Sequence, residues 1–164
     1  MCIRDSAAIV RAAGVASHQI ELEVTEGVLL DDDDAVRLAL RQLRAEGFRI
    51  ALDDFGTGYS SLSYLRQFEV DKIKIDRSFV QHLGQSGDAA AIVNAVVTLG
   101  HAMGLCVTAE GVETDDQKDF LSGAGCNQLQ GFLFSRPVPA TEIAAMMRRP
   151  PTIDRIDQRL AAAA

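Results

Sequence analysis

The sequence predicts an α/β fold in which parallel strands alternate with helices. Segments of strand type and amphipathic segments of helical type alternate about five times along the chain, which is the pattern of right-handed parallel units. The chain has 164 residues, of which 48% are hydrophobic and 24% charged, enough for one domain with a core. The alternation fits either an open sheet or a barrel, and no stretch indicates a second domain.

The first half of the chain begins with a short helix predicted over residues 7–13. Residues 19–26 then alternate between apolar and acidic side chains, which predicts a strand whose apolar face holds Leu22 and Val24. The aspartate run at residues 31–34 suits the N-terminus of a helix that Gly47 ends. A calcium loop is the weaker interpretation of that run, because the spacing of an EF-hand is absent.

The second half continues the alternation to the last predicted helix. Thr114 and Gln117 have the spacing of a capping box, so a helix is expected to begin there. We interpret residues 1–6 as a leader or assembly scar and residues 150–164 as a disordered tail. The remaining predictions are strands over 49–54, 70–76, 105–113 and 126–134, and helices over 60–67, 88–103, 114–125 and 141–148.

Two adjacent carboxylates, Asp53 and Asp54, stand where the second predicted strand stops and a Gly-Thr-Gly turn begins. Neighbouring negative charges repel each other unless a cation lies beside them. Oxygen ligands favour hard cations such as magnesium, manganese or calcium over zinc. A solvated turn explains the same residues, since aspartate and glycine are common in turns, and this stretch alone leaves both interpretations open.

One choice of register brings polar residues together at the C-terminal ends of all five predicted strands. The opposite strand faces are then apolar and suit a layer of helices, and ligands bind at this end of parallel sheets and barrels. A cluster of carboxylates with one ammonium could hold two hard metal ions, and a water bridging those ions suits in-line attack on a phosphodiester. The inward residues are Glu23, Asp53, Lys74, Glu110 and Gln130. The inward residues two positions earlier on the same strands are, in the same order, Glu21, Ala51, Lys72, Thr108 and Gln128.

The overall composition argues against several classes of protein. A net charge of -7, from 16 basic and 23 acidic residues, disfavours a surface for nucleic-acid polymers. Three cysteines without a CxxC pair disfavour a disulfide framework or zinc site and predict a reducing, cytoplasmic location. Polar residues interrupt the apolar stretch 89–109, so it predicts a helix followed by a strand and no membrane contact.

At these residues the sequence resembles the EAL family of cyclic di-GMP phosphodiesterases, and the match runs over residues 20–147. The resemblance is specific because several separate motifs occur in the family's order. They are Glu23-Val-Thr-Glu26, Asp53-Asp-Phe-Gly-Thr-Gly-Tyr-Ser-Ser-Leu62, Asp71-Lys-Ile-Lys-Ile-Asp76, Ala109-Glu-Gly-Val-Glu113 and Gln130-Gly-Phe-Leu-Phe-Ser-Arg-Pro137.

The resemblance implies a TIM-type (β/α) barrel that hydrolyses cyclic di-GMP to linear pGpG with magnesium or manganese. It implies that Lys74 contacts a metal-bound water and that Lys74 and Glu110 are catalytic. It also implies that the loop after Asp54 couples homodimerisation to the site. The remaining implied roles are metal binding by Glu23, Asp53, Asp54 and Glu110, substrate or water positioning by Gln130, and loop support by Glu26 and Glu113.

The sequence also departs from the family, because it lacks the Glu-Ala-Leu tripeptide and the strand with an asparagine ligand. A complete barrel of this type needs roughly 250 residues. We therefore expect residues 7–149 to be the C-terminal part of such a domain, a partial barrel of about the last five strands. Such a fragment would have unpaired edges and low activity alone. The alternative is a non-catalytic module that binds cyclic di-GMP or a protein partner.

Overall fold

Five parallel strands form one sheet in the computed structural model, which describes residues 3–30, 34–58, 65, 68–85 and 87–148. Neighbours in the sheet follow each other in the chain, so the spatial order is the chain order. This confirms the predicted α/β fold, and successive parallel strands of a barrel have the same order. The strands are β1 (Glu21–Thr25), β2 (Arg49–Phe55), β3 (Lys72–Ile75), β4 (Cys106–Ala109) and β5 (Gln128–Leu129).

Helices connect and flank these strands. The capping box predicted at Thr114 and Gln117 is present, and Gly125 ends the same helix in the left-handed conformation at φ 96°. A 3₁₀ turn over Ser17–Gln19 leads into the first strand. The α-helices are α1 (Ile3–Ala12), α2 (Glu26–Leu30), α3 (Asp34–Ala45), α4 (Arg77–Gln81), α5 (Gly87–Ala102), α6 (Asp115–Ala124) and α7 (Ala140–Met146).

Several element boundaries differ from the sequence predictions. Helix α1 begins at Ile3 rather than at residue 7, and the short helices α2 and α4 were not predicted. The predicted strand over 126–134 is wrong in extent. It stops at Leu129 because the chain turns at Gly131, where an added Cβ would lie 2.1 Å from the carbonyl oxygen of Val112. The predicted helix over 60–67 lies outside the described residues except for Leu65.

The core lies between the sheet and its helices. Ile50, Ile73 and Val107 come from three successive strands and are fully buried on the face that was predicted to be apolar. Helices α5 and α6 cover this face with Val93 and Leu121, which are both fully buried. Each such side chain contributes about 1.5–3 kcal/mol by leaving water. The other face of the sheet is therefore left to hold polar side chains.

No helix in the described part of the chain is long and apolar enough to cross a membrane. The apolar stretch that could have suggested a span divides into α5 and β4, as the sequence predicts.

Cys126 provides a test of the packing between α6 and β5. Burial alone raises the pKa of its thiol to about 11, from 9.0. Because only the thiolate reacts, alkylation of Cys126 by iodoacetamide at pH 8 should be at least about tenfold slower in the folded protein than in guanidinium. Peptide mass spectrometry measures this residue separately. Equal rates in the two conditions would contradict the packing.

The same pKa has a consequence for stability. The folded state retains the Cys126 proton to a higher pH than the unfolded chain, so this group's contribution to the free energy of unfolding is present below pH 9 and is lost as pH rises towards about 11.

Candidate functional site

Strand β2 carries both adjacent carboxylates on an irregular segment. Leu52 pairs with Ile73 and Phe55 pairs with Ile75, so three steps along β2 match two steps along β3 and one residue is extra. Asp54 has a φ of 54°, which aspartate adopts more readily than most residues other than glycine. A β-bulge at the end of the strand therefore sets the geometry of this acidic pair.

The ammonium group of Lys74 lies at the centre of the carboxylates. Its Nζ atom is 2.6 Å from Glu23 Oε1, 2.9 Å from Asp53 Oδ1 and 2.7 Å from Glu110 Oε1. The acids belong to β1, to β2 and to the residue after β4, so one cation joins three strand ends. The Lys74 side chain is only 5% exposed. Four of the five residues predicted to point inward therefore meet at one place.

The electrostatics of the cluster favour a charged Lys74. Burial by itself lowers the pKa of Lys74, but the contacts with Glu110, Glu23 and Asp53 outweigh this effect, and the pKa is raised. The ion pairs are therefore fully formed at neutral pH and would be lost only as pH rises above the ordinary lysine value of 10.5. The pKa of Asp54 is also raised, first by burial and then by the charges of Asp53 and Asp76.

A second polar layer lies two residues earlier along the same strands. Lys72 Nζ is 2.7 Å from Glu21 Oε2, and Thr108 Oγ1 donates a hydrogen bond of 3.1 Å to Gln128 Oε1. Ala51 of β2 is fully buried and pairs in register with Lys72, so β1 and β3 side chains meet across a small residue. The two layers confirm that alternate positions on successive strands share one inner face.

Glu26 anchors the start of the loop that follows Asp54. Glu26 is 8% exposed, and its Oε1 atom accepts a 2.7 Å hydrogen bond from the backbone N–H of Gly56. Gly56 has a φ of 97° and its position lies against the Phe79 ring. A Cβ at Gly58 would lie 2.7 Å from Glu26 Oε2, so Gly58 also lies close to this carboxylate. The Glu26 side chain therefore contacts the backbone at the start of the loop after Asp54.

The loop after β4 holds Glu110 in place through its backbone. The Glu110 N–H donates to the Ile75 carbonyl oxygen at 3.1 Å, and the Val112 N–H donates to the Gln130 carbonyl oxygen at 3.1 Å. The Gln130 side chain is exposed and makes no hydrogen bond within the described ranges. Glu113 is also exposed, and its backbone N–H bonds to Gln117 Oε1 at 2.8 Å. The structure thus joins Gln130 and Glu113 to the site through the main chain, not through contacts of their side chains with the cluster.

Asp76 is a site-supporting residue that the sequence analysis did not predict, and Gln117 makes a contact beyond its predicted capping box. Asp76 follows β3, caps α4 by accepting the Ser78 N–H at 3.0 Å, and its charge contributes to the raised pKa of Asp54. Burial would raise the pKa of Asp76, but the hydrogen bonds from Ser78 lower it. Gln117 joins the loop after β4 to the Val80 carbonyl oxygen through Nε2. The Asp-x-Ser spacing before a short helix was the available signal for Asp76.

The composition of the cluster suits a divalent metal ion, but its arrangement is that of an ion-pair cluster. Carboxylate oxygens are the ligands that magnesium and manganese prefer. Asp53 Oδ1 is buried, and it faces Lys74 Nζ at 2.9 Å. However, no group of three or more acidic, histidine or cysteine side chains among the described residues is placed to hold a metal ion. The oxygens converge on Lys74 instead.

Comparison with known proteins places this architecture in one family. The family model described as the EAL domain matches residues 2–137. The bifunctional diguanylate cyclase/cyclic di-GMP phosphodiesterase MucR of Pseudomonas aeruginosa is 50% identical over 138 residues, which are 84% of this chain and 20% of MucR. This chain therefore spans about a fifth of the length of that relative.

Solved structures agree with this result. The MucR phosphodiesterase in complex with c-di-GMP superposes with a TM-score of 0.79 at 46% identity, covering 83% of this chain and 55% of that one. Klebsiella pneumoniae BlrP1 in a manganese/cyclic di-GMP complex superposes with a TM-score of 0.77 at 42% identity, covering 82% of this chain and 34% of that one.

The role of Glu26 can be tested by hydrogen exchange. Replacing Glu26→Ala removes the acceptor of the Gly56 N–H, so protection of the Gly56 amide should fall at least about tenfold. Glu26→Gln retains a carbonyl oxygen and should keep most of the protection. The amide of Val107, which bonds to Asn127 Oδ1, is the internal control and should not change. Equal protection of Gly56 in Glu26→Ala and wild type would contradict the anchoring role.

Proposed function

Because this chain belongs to the EAL domain family, we propose that it supplies the C-terminal part of a domain that hydrolyses cyclic di-GMP to linear pGpG. The observation that carries the proposal is the contact of Lys74 with carboxylates from three strand ends. Such a cluster lies where barrel enzymes place their chemistry. The c-di-GMP complexes of MucR and BlrP1 support the choice of substrate.

Glu23, Asp53, Asp54 and Glu110 are the residues proposed to hold magnesium or manganese. Divalent ions bound there would polarise the phosphodiester and activate the attacking water. Asp53 is the most suitable bridging ligand, because its buried Oδ1 lies at the centre of the cluster, 2.9 Å from Lys74 Nζ. The calcium and manganese complexes of BlrP1 support the use of divalent ions in this family.

Lys74 and Glu110 are the proposed catalytic residues. The raised pKa of Lys74 keeps its ammonium charged, so Nζ can stabilise negative charge that develops on the phosphate in the transition state. Glu110 Oε1 lies 2.7 Å from Nζ, so the two proposed catalytic groups are adjacent. The chain has a net charge of -7, so an anionic substrate requires such local positive charge.

The other predicted residues are assigned supporting roles. Gln130 would position substrate or water, because its exposed side chain extends from a backbone that is bonded to Ala109 and Val112. Glu26 would hold the loop after Asp54, and Glu113 the loop after β4. We further propose that the loop after Asp54, whose residues 59–64 lie outside the described ranges, contributes to a homodimer, and that the reaction takes place in the cytoplasm.

A non-catalytic module that binds cyclic di-GMP is the second candidate function. The observation that favours it is the arrangement of the acids around Lys74, together with the missing Glu-Ala-Leu tripeptide. Calorimetry with cyclic di-GMP in calcium measures binding without turnover, and product analysis in manganese measures hydrolysis. Binding without hydrolysis in the longer natural protein would favour the module.

The 164-residue chain should hydrolyse cyclic di-GMP poorly on its own. Two ligand-bearing strands of the family are absent from the sequence, so the metal site and the substrate pocket are incomplete. Product formation in manganese, measured by chromatography, should be at least about a hundredfold below that of a complete EAL domain. A rate similar to that of a complete domain would refute the proposal that this chain is an incomplete site.

Replacing Asp53→Asn in the longer natural protein should abolish turnover. A neutral amide is a poor bridge between two dications, so kcat should fall at least about a hundredfold. Asp115→Asn is the matched control, because Asp115 is an exposed acid on α6 that contacts Lys118 and should leave the rate unchanged. Activity retained in the Asp53 variant would remove Asp53 from the site.

A further inference from the structure

The two lysines on the inner face of β3 have different surroundings. Lys72 contacts one carboxylate, Glu21, whereas Lys74 contacts three carboxylates that come from separate strands. The Lys74 side chain is 5% exposed, so water offers little compensation for the charges around it. Carboxylates at such separations repel one another unless a cation lies between them. In this arrangement, the required cation is the ammonium of Lys74.

Nζ is also located where a metal ion would have to bind. Three oxygens from Glu23, Asp53 and Glu110 lie 2.6–2.9 Å from it, and these residues include three of the four proposed metal ligands. Magnesium needs its oxygens at about 2.0–2.1 Å. A dication at the point of convergence would touch the ammonium, and two adjacent cations in a largely buried site repel strongly. The same oxygens therefore cannot serve both cations at once.

We propose that Lys74 is a resident cation of the metal site, and that a divalent ion binds by displacing Lys74 from its contacts with Glu23, Asp53 and Glu110. The inference rests on the proposed function and adds a competition between two cations for one set of oxygens. It accounts for the convergence of acids without any metal-holding arrangement among the described residues. Lys74 thus lowers the affinity for metal while it stabilises the fold in the absence of metal.

Removing Lys74 should have opposite effects on these two properties. Without the ammonium, the clustered carboxylates are left without a counterion, so the metal-free fold should be less stable. A dication can then bind the same oxygens without first breaking their ion pairs with Lys74. A ligand that binds only the folded state stabilises it in proportion to its affinity, so manganese should restore the stability that the substitution removes.

The experiment compares Lys74→Gln with Lys72→Gln in the 164-residue chain. Manganese affinity is measured by calorimetry, and thermal unfolding is followed in EDTA and in manganese. Lys74→Gln should melt at a lower temperature than wild type in EDTA, bind manganese at least about tenfold more tightly, and show the larger rise in Tm with manganese. Lys72→Gln removes the same charge one layer away and should keep a manganese affinity within about threefold of wild type.

A measurement on the unsubstituted chain tests the displacement directly. In ¹⁵N-lysine-labelled protein, the Lys74 ammonium should give a slowly exchanging NζH₃⁺ signal that is lost or shifted when magnesium is added, while the Lys72 signal remains. This readout does not depend on the folding of a variant. An unchanged Lys74 signal at magnesium saturation would overturn the proposal.

The remaining outcomes separate the inference from the function on which it rests. Saturable manganese binding with equal or weaker affinity in Lys74→Gln overturns the displacement and leaves the proposed function intact. Equal tightening in both variants also overturns it, because net charge alone would then explain the change. Absence of saturable manganese or magnesium binding in wild type and in both variants of this chain overturns the inference, whereas the proposed function is tested separately by Asp53→Asn in the longer natural protein.

Discussion

The arrangement of the site depends on a single buried cation, the ammonium of Lys74. A lysine that is almost fully buried is stable in its charged form only if carboxylates replace the lost water. Three strands supply those carboxylates, so the ion pairs connect β1, β2, β3 and the loop after β4 across the inner face of the sheet. The charge of Lys74 and the convergence of the strand ends therefore require each other.

One face of the sheet packs against the helices and stabilises the fold, and the other face carries the polar residues of the site. The face towards the helices is apolar, and Ile73 and Val107 are fully buried there. The inner face carries two layers of polar contacts, with the Lys72–Glu21 pair beneath the Lys74 cluster. Because packing on the apolar face holds the strands, the polar face can contain clustered like charges that would not be stable by themselves.

Contacts between the loops that follow the strands hold the C-terminal ends of the strands in place. Glu26, at the start of α2, holds the backbone after β2, and Val112 and Gln130 bond the loops after β4 and β5 to each other. Family membership is shown by the match over residues 2–137, whereas function depends on local contacts such as these.

Much of this organisation was determined by the sequence itself. The alternation of apolar and polar residues is enough to predict parallel strands, their apolar face and the inward positions of Glu23, Asp53, Lys74 and Glu110, because a strand has a side-chain period of two. The spacing of Thr114 and Gln117 likewise predicts a helix start, since a capping box is a local arrangement.

The distances between residues on different strands, and the points where strands end, were decided only by the tertiary structure. Periodicity tells which face a residue occupies but not how far it lies from residues on other strands, so the sequence predicted acids around a metal while the fold directs them at Lys74. The short β5 and the bulge at Asp54 depend on contacts with Val112 and on pairing with β3. Such contacts join residues far apart in the chain, and no local pattern records them.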